Sequence, residues 1–299
     1  MIKVIQVGLG HDHATGILNC LLKLKDTFQV LGVARPCEED NTKYEGLTVM
    51  SVEDALNSDA DAVIIETEEK YLVKYASLFA EKGFNIHMDK PGGFELAEFE
   101  NFISIAKKKN IVLSMGYMYR FNPAIIDVVN KIKSGEMGEI YSVEADMSCE
   151  HSSSKRKWLN TLPGGMMFYL GCHLIDIVYN LLGAPEEIIP LNYSTMKDDV
   201  DSLDCGMAVF KYKNSTAYIK TSAAEPGGIN RRRLVVCCEK GALEIKPLES
   251  YDENGLVTVS LKHTKEKSGW CAEGEITSYP SYDRYDDMMQ NFAEMVREN

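Results

Sequence analysis

The sequence predicts an α/β domain built on a parallel sheet, followed by an α+β domain with an open, mostly antiparallel sheet. Three observations carry this reading. Strand-like apolar runs alternate with helix-like segments through the first part of the chain, short strands follow one another directly from Glu139 onward, and 299 residues exceed the usual size of one domain. The change of character near Pro123 sets the domains at 1–121 and 122–299.

The first element is "VIQVGLGHDHATGIL", Val4 to Leu18. Val4, Ile5 and Val7 read as a buried strand, Gly8 and Gly10 allow a tight turn, and the helix that follows would aim its N-terminal amides at a phosphate. The third position of the G-x-G-x-x-G pattern falls on His13, where a small residue usually sits. "FQVLGVA" (Phe28 to Ala34) is a second buried strand, so strand, turn, helix and strand fit the length of a dinucleotide-binding unit. Ser51 and Asp54 make a capping box for a short helix. "DAVIIET" (Asp61 to Thr67), a helix to Lys82, "NIHMDK" (Asn85 to Lys90), a helix around Phe94 to Lys109 and "IVLSMGYM" (Ile111 to Met118) continue the alternation. In such sheets ligands bind at the carboxyl ends of the strands, where Gly8, Arg35, Thr67 and Lys90 fall.

Beyond Pro123 a helix, Ala124 to Lys133, is followed by the strands "IYSVEADMS", "EIIPLNYSTM", "LDCGMAVFKY", "TAYIKTSA", "RRLVVCC", "GALEI" and "LVTVSLKH". One helix interrupts them, from Met166 to Leu182, after Gly164 and Gly165.

Composition bounds the partners. A net charge of −13 argues against nucleic acid and anionic membrane and leaves a small-molecule substrate as the expected partner. No apolar run approaches the roughly 18 residues that span a bilayer, and the start "MIKVIQVG" reads as a strand, so a cytoplasmic location is expected. Eight cysteines, Cys20, Cys37, Cys149, Cys172, Cys205, Cys237, Cys238 and Cys271, lie scattered without a C-x-x-C pair. They read as buried thiols, and no metal is expected.

Four groups of residues are candidates for chemistry. The turn residues Gly8, Leu9, Gly10, His11, Asp12 and His13, with Thr67, would contact a dinucleotide. Arg35, ending the second strand, would favour the 2′-phosphate of NADP over NAD, with Glu38, Glu39 and Asp40 as competing acids nearby. Lys90, in Asp89-Lys90-Pro91, points into the ligand crevice. Tyr169, His173 and Asp176 stand at i, i+4 and i+7 on a helix, so a phenol, an imidazole and an orienting carboxylate would share one face.

At this point the arrangement resembles the Gfo/Idh/MocA oxidoreductases. The likeness rests on the glycine turn, "DKPGG", "YRFNPAIIDVVNKIKSGEMGEI" (Tyr119 to Ile140) and "PGGMMFYLGCHLID" (Pro163 to Asp176), with "NRRRLVVCCEKGALEI" as a weaker fifth stretch. The resemblance implies a Rossmann-type nucleotide-binding domain joined to a substrate and oligomerisation domain. It also implies hydride transfer between NAD(P) and a secondary alcohol or carbonyl of a sugar, inositol or related polyol, and a homodimer or higher homo-oligomer. Lys90 would be catalytic and near the nicotinamide, His173 a general acid/base, and Trp158, in a loop, with Arg120 and Asp176, would meet the substrate. Tyr169 stands where the family has an Asp and is read as its proton-shuttling replacement, "TEEKYL" replaces a Thr-Pro-Asn segment, and the last helix stops at Asn299 where members usually continue to a helix returning to the first domain. A sensor that binds dinucleotide and ligand without turnover, and an NAD-dependent glycosidase, are the alternatives.

Overall fold

Val4, Ile5 and Val7 have no exposed side-chain surface, and the strand they form lies inside a six-stranded, all-parallel sheet. The computed structural model describes residues 1–266 and 273–299, so Cys271 lies outside the described residues. The chain divides into two compact units, Met1–Met118 with Tyr285–Asn299, and Tyr119–Arg284.

In the first unit the elements run β1 (Ile2–Val7), α1 (Ala14–Lys23), β2 (Phe28–Arg35), β3 (Val49–Ser51), α2 (Val52–Leu56), β4 (Ala62–Ile65), α3 (Leu72–Lys82), β5 (Asn85–Met88), α4 (Leu96–Lys109) and β6 (Leu113–Met115). Strand order is β3-β2-β1-β4-β5-β6, so the order reverses between β1 and β4, the place where such sheets open a ligand crevice. All four side chains of β4 are buried, which is why that strand reads as an unbroken apolar run. The capping box of Ser51 and Asp54 is present at the start of α2. Buried Gln6 donates its side-chain amide to the carbonyls of Gly8 and Ala14, at 3.2 and 3.1 Å, tying the glycine turn to the start of α1.

The second unit holds α5 (Pro123–Lys133), β7 (Ile140–Asp146), α6 (Ser153–Leu159), α7 (Cys172–Leu182), β8 (Glu187–Tyr193), β9 (Cys205–Lys211), β10 (Thr216–Ser222), β11 (Arg233–Cys238), β12 (Gly241–Ile245), β13 (Ser250–Tyr251), β14 (Val257–Thr258), β15 (Ser260–Lys265) and β16 (Glu275–Ser278). Eight strands form one open sheet, β16-β15-β12-β11-β7-β10-β9-β8. Every pair is antiparallel except β7 with β10, which makes the sheet mixed. Alternation along β7, β10 and β11 buries Val143, Ala145, Ala217, Ile219, Leu234 and Val236, the face on which α7 packs. Glu144, Tyr218 and Arg233 are hydrogen-bonded to one another on the other face.

The last helix, α8 (Asp286–Glu298), clusters with the first unit, not with the sheet that precedes it. It is itself a helix that returns to the first domain. Met288, Met289, Phe292 and Ala293 are buried along it, and Lys23 on α1 pairs with Asp286 at 2.5 Å. A Cβ on Gly16 of α1 would stand 2.6 Å from the Tyr285 ring, so a glycine is required where the two segments touch.

Candidate functional site

In the first unit the residues of the glycine turn, Arg35, Thr67 and Lys90 all sit at the carboxyl ends of strands, as expected from sequence. Gly8 has φ +88°, a conformation that favours glycine, and a Cβ there would lie 2.7 Å from Glu39 Oε1 and 2.9 Å from the backbone of Thr67. A Cβ on Gly10 would meet the backbone nitrogen of Glu68 at 2.6 Å and Glu39 Oε1 at 2.9 Å. Glu39 therefore lies against the turn. Its Oε2 accepts from the Leu9 amide at 2.8 Å and from the Tyr44 hydroxyl at 2.6 Å, while Oε1 is buried with no hydrogen-bond partner. Burial and this bond to Glu39 push the Tyr44 hydroxyl up.

Three amides of the turn itself carry protein acceptors: Leu9 N–H on Glu39, His11 N–H on the Glu66 carbonyl at 3.0 Å, and His13 N–H on His11 Nδ1 at 3.2 Å. Asp12 is exposed, and Arg35 is exposed at the end of β2. The acid that approaches the glycines is thus Glu39, while Arg35 lines a shallow hollow with Asn41, Thr42 and Glu45.

His11, Glu66, Glu69, Asp89 and Lys90 are buried together, with His13 at the edge. His11 Nδ1 and His13 Nδ1 lie 3.2 and 3.0 Å from Asp89 Oδ2. Burial pushes the Asp89 carboxyl up, but the imidazoles of His11 and His13 more than reverse it and hold it well below its usual range. Burial and the neighbouring Asp89 charge raise Glu66 well above the ordinary carboxyl value. Burial lowers His13 to about 4 against the opposing pull of Asp89. A buried lysine is rare, and Lys90, only 1% exposed, is one.

In the second unit the expected helix from Met166 is two structures: a π-helical turn over Met167–Gly171, then α7. The wider turn breaks the i, i+4 relation, and Tyr169 and His173 have different surroundings. The Tyr169 ring stands edge-on to Trp158 at 5.4 Å and 6.1 Å from His151, with Lys155 Nζ 4.6 Å from its centroid and 3.7 Å from that of Trp158. The His173 ring is 5.0 Å from that of Tyr119. Both oxygens of Asp176 accept from Arg120, at 2.8 and 2.5 Å. Trp158 lies on α6 and not in a loop. That helix is anchored by buried Arg156, which donates to the His151 and Lys197 carbonyls and to Asp198. Tyr119 donates to Glu249 at 2.7 Å, and burial, reinforced by the Glu249 charge, raises its hydroxyl well above the usual value.

Sequence reasoning passed over Glu66, His151 and Lys155, noted Glu69 only as one of two acids in "TEEKYL", and treated Glu39 only as one acid in a run of three. Adjacency to Thr67 was the available signal for Glu66; the others had none at the level of motif.

Residues 126–244 match the GFO/IDH/MocA C-terminal domain. This stretch of the second unit belongs to the Gfo/Idh/MocA family. Oxidoreductase YhhX of Escherichia coli, itself uncharacterised, is 26% identical over 226 residues, 72% of this chain and 64% of that protein. Two Bacillus subtilis relatives are named scyllo-inositol 2-dehydrogenases: the NADP+ form IolW is 21% identical over 68% of this chain and 58% of its own length, and the NAD+ form 28% identical over 42% and 36%. Matches to these curated relatives thus span about two thirds of their length or less. A crystal structure from Desulfitobacterium hafniense superposes with a TM-score of 0.84 at 19% identity, covering 99% of this chain and 88% of that one, and shares this fold. Among the described residues no helix is long and apolar enough to cross a membrane.

Proposed function

We propose that this chain is an NAD(P)-dependent oxidoreductase that moves hydride between the nicotinamide and a secondary alcohol or carbonyl of a sugar, inositol or related polyol. The observation that carries it is the buried Lys90 ammonium at the carboxyl end of β5, in the same crevice region as the glycine turn after β1. The names of the inositol dehydrogenases support the substrate class.

The residues fit a dinucleotide at its adenosine ribose. Glu39 Oε1 is a buried acceptor with no partner, next to Gly8 and Gly10, suited to a ribose hydroxyl and repulsive to a 2′-phosphate. This favours NAD over the NADP that Arg35 alone suggests. When bound, the nicotinamide supplies the hydride acceptor or donor. Lys90, in the first unit, holds the reacting oxygen and favours its negative charge. His173 and Tyr169, in the second, exchange the hydroxyl proton, and Lys155 and Trp158 pack around the Tyr169 phenol. Arg120 and Asp176, bound to each other, form a fixed polar pair that contacts substrate as a unit.

Copies of the chain pair through β8, an edge strand whose Ile188, Leu191 and Tyr193 are all more than half exposed; apolar side chains on an open edge support association. The location proposed is cytoplasmic.

The test is turnover on a panel of polyols and sugars followed by NADH absorbance, in the original protein and in Lys90→Ala, with cofactor affinity measured separately. The expected result is turnover that Lys90→Ala abolishes while NADH still binds. Tight NADH binding with no turnover on any member of the panel would favour the sensor.

A further inference from the structure

The carboxylates and imidazoles of the first unit converge at separations that ligands of one small cation adopt. His11 Nδ1 is 3.2 Å from Asp89 Oδ2 and 3.7 Å from Glu66 Oε2, and His13 Nδ1 is 3.0 Å from the same Asp89 oxygen. One ligand atom each from His11, His13 and Asp89 all lie within 4.8 Å of one another. Nitrogen and carboxylate donors at about 2.0–2.2 Å from Zn²⁺ stand a little over 3 Å apart in a tetrahedral site.

A second observation is independent of that spacing. Glu69 Oε1 and His11 Nε2 are buried without a hydrogen-bond partner among the described residues, and the buried Glu66 carboxyl has no donor among them, only the Asp89 carboxyl beside it. Buried polar atoms left in this way around and on one imidazole are costly in a protein interior unless something absent from the polypeptide engages them. Glu69 Oε1 lies 3.8 Å from His11 Nε2. If His11 ligates through Nδ1, its proton resides on Nε2 and Glu69 is placed to receive it, the carboxylate–histidine–metal arrangement that fixes a ligand tautomer. The His13 amide now donating to His11 Nδ1 at 3.2 Å would have to yield, a small rotation of the ring. The same cluster buries three acidic side chains, Glu66, Glu69 and Asp89, together with Lys90.

We propose that His11, His13, Asp89 and Glu66 bind one divalent first-row transition ion, with Glu69 positioning the His11 ring. Two imidazoles with carboxylates suit Zn²⁺, Mn²⁺ or Fe²⁺ better than Mg²⁺ or Ca²⁺. No sequence motif marks it, because the ligands come from the segments after β1, β4 and β5 and, among the described residues, no cysteine joins them.

The test uses the untagged full-length protein, stripped with chelator and titrated with ZnCl₂ by calorimetry and with CoCl₂ by visible absorption. The expected result is one tight equivalent of Zn²⁺ per chain and ligand-field bands with Co²⁺, both lost in His11→Ala and in His13→Ala. Glu69→Gln should weaken Zn²⁺ binding by about 10- to 100-fold while keeping one equivalent. His13 is at the edge of the cluster, so its variant, with Glu69→Gln, decides the matter if His11→Ala does not fold. Failure of the original protein to take up one tight equivalent, or unchanged affinity in folded His13→Ala and Glu69→Gln, overturns the proposal. None of these readouts depends on turnover or cofactor.

Discussion

Replacing Glu39 by Gln separates its two roles. Oε2 serves the fold, accepting from the Leu9 amide and the Tyr44 hydroxyl, and a glutamine carbonyl can keep both bonds. Oε1 is buried without a partner and is the oxygen available to a ribose hydroxyl. A hydrogen bond to a charged acceptor contributes about 1.5–3 kcal/mol, whereas the glutamine NH2 that takes the place of Oε1 can only donate to the ribose hydroxyl, a neutral bond of about 0.5–1.5 kcal/mol, so the variant should lose roughly 1–2 kcal/mol of NADH binding, a five- to thirty-fold weakening. NADPH should bind no worse, and better if its 2′-phosphate no longer meets a carboxylate. The assay is a fluorescence titration of both cofactors with the original protein and Glu39→Gln, alongside Arg35→Asp. In the original protein NADH should bind more tightly than NADPH. An equal loss for both cofactors would reduce Glu39 to a structural residue, and tighter NADPH binding in the original protein would return the preference to Arg35.

Glu38 is held down to about 2 because its bonds to Lys74 and Tyr75 outweigh the opposing effect of burial. A depressed carboxyl stabilises the fold above its unfolded value near 4.5 and loses that contribution as pH falls toward 2, so Glu38→Gln should flatten the acid limb of a urea-stability profile in that window. Partial exposure limits the effect to about 1 kcal/mol; an unaltered acid limb would refute it. Phe292→Ala on α8 should cost about 3–5 kcal/mol in chemical denaturation, since the ring is fully buried against the first unit. A loss below about 1 kcal/mol would mean that α8 is not docked there. Leu191→Lys on β8 should convert a dimer to monomer in light scattering; an unchanged mass would move the interface elsewhere.

What could be read from the sequence follows from local pattern. Strand β4 is an unbroken apolar run and β1 one interrupted by Lys3 and Gln6, the α2 cap is a two-residue signature, and β7, β10 and β11 of the second unit each carry one buried face. Helix α6 was illegible because "SSKRKWL" has no apolar stripe; buried Arg156 holds it through contacts to residues some 40 positions away. The π-turn before α7 hid for a related reason. The sequence spacing of Tyr169 and His173 suits an α-helix, and only packing reveals the extra width, with Gly171 lying where a Cβ would strike Met167 Sδ at 2.4 Å. Glu39 sits in a run of acids whose members are indistinguishable until β2 and the segment after it bring one of them against Gly8.

The departures of the glycine turn are connected by charge. A dinucleotide brings a negatively charged diphosphate to a turn that already holds the Glu39 carboxylate on the Leu9 amide, with Glu68 against Gly10 and Glu66, Glu69 and Asp89 behind it. Lys90, Lys70, which pairs with Glu68 at 3.1 Å, and the positive end of α1 are opposing charges there. His11 and His13, atypical for a dinucleotide turn, are then what such an acidic crevice requires: uncharged nitrogen donors that let a divalent ion neutralise the carboxylates without adding another acid. In that arrangement the imidazoles do not take the place of the cofactor's phosphate contacts. They supply the positive charge, at one remove, that a small third residue in the glycine pattern never needs to provide.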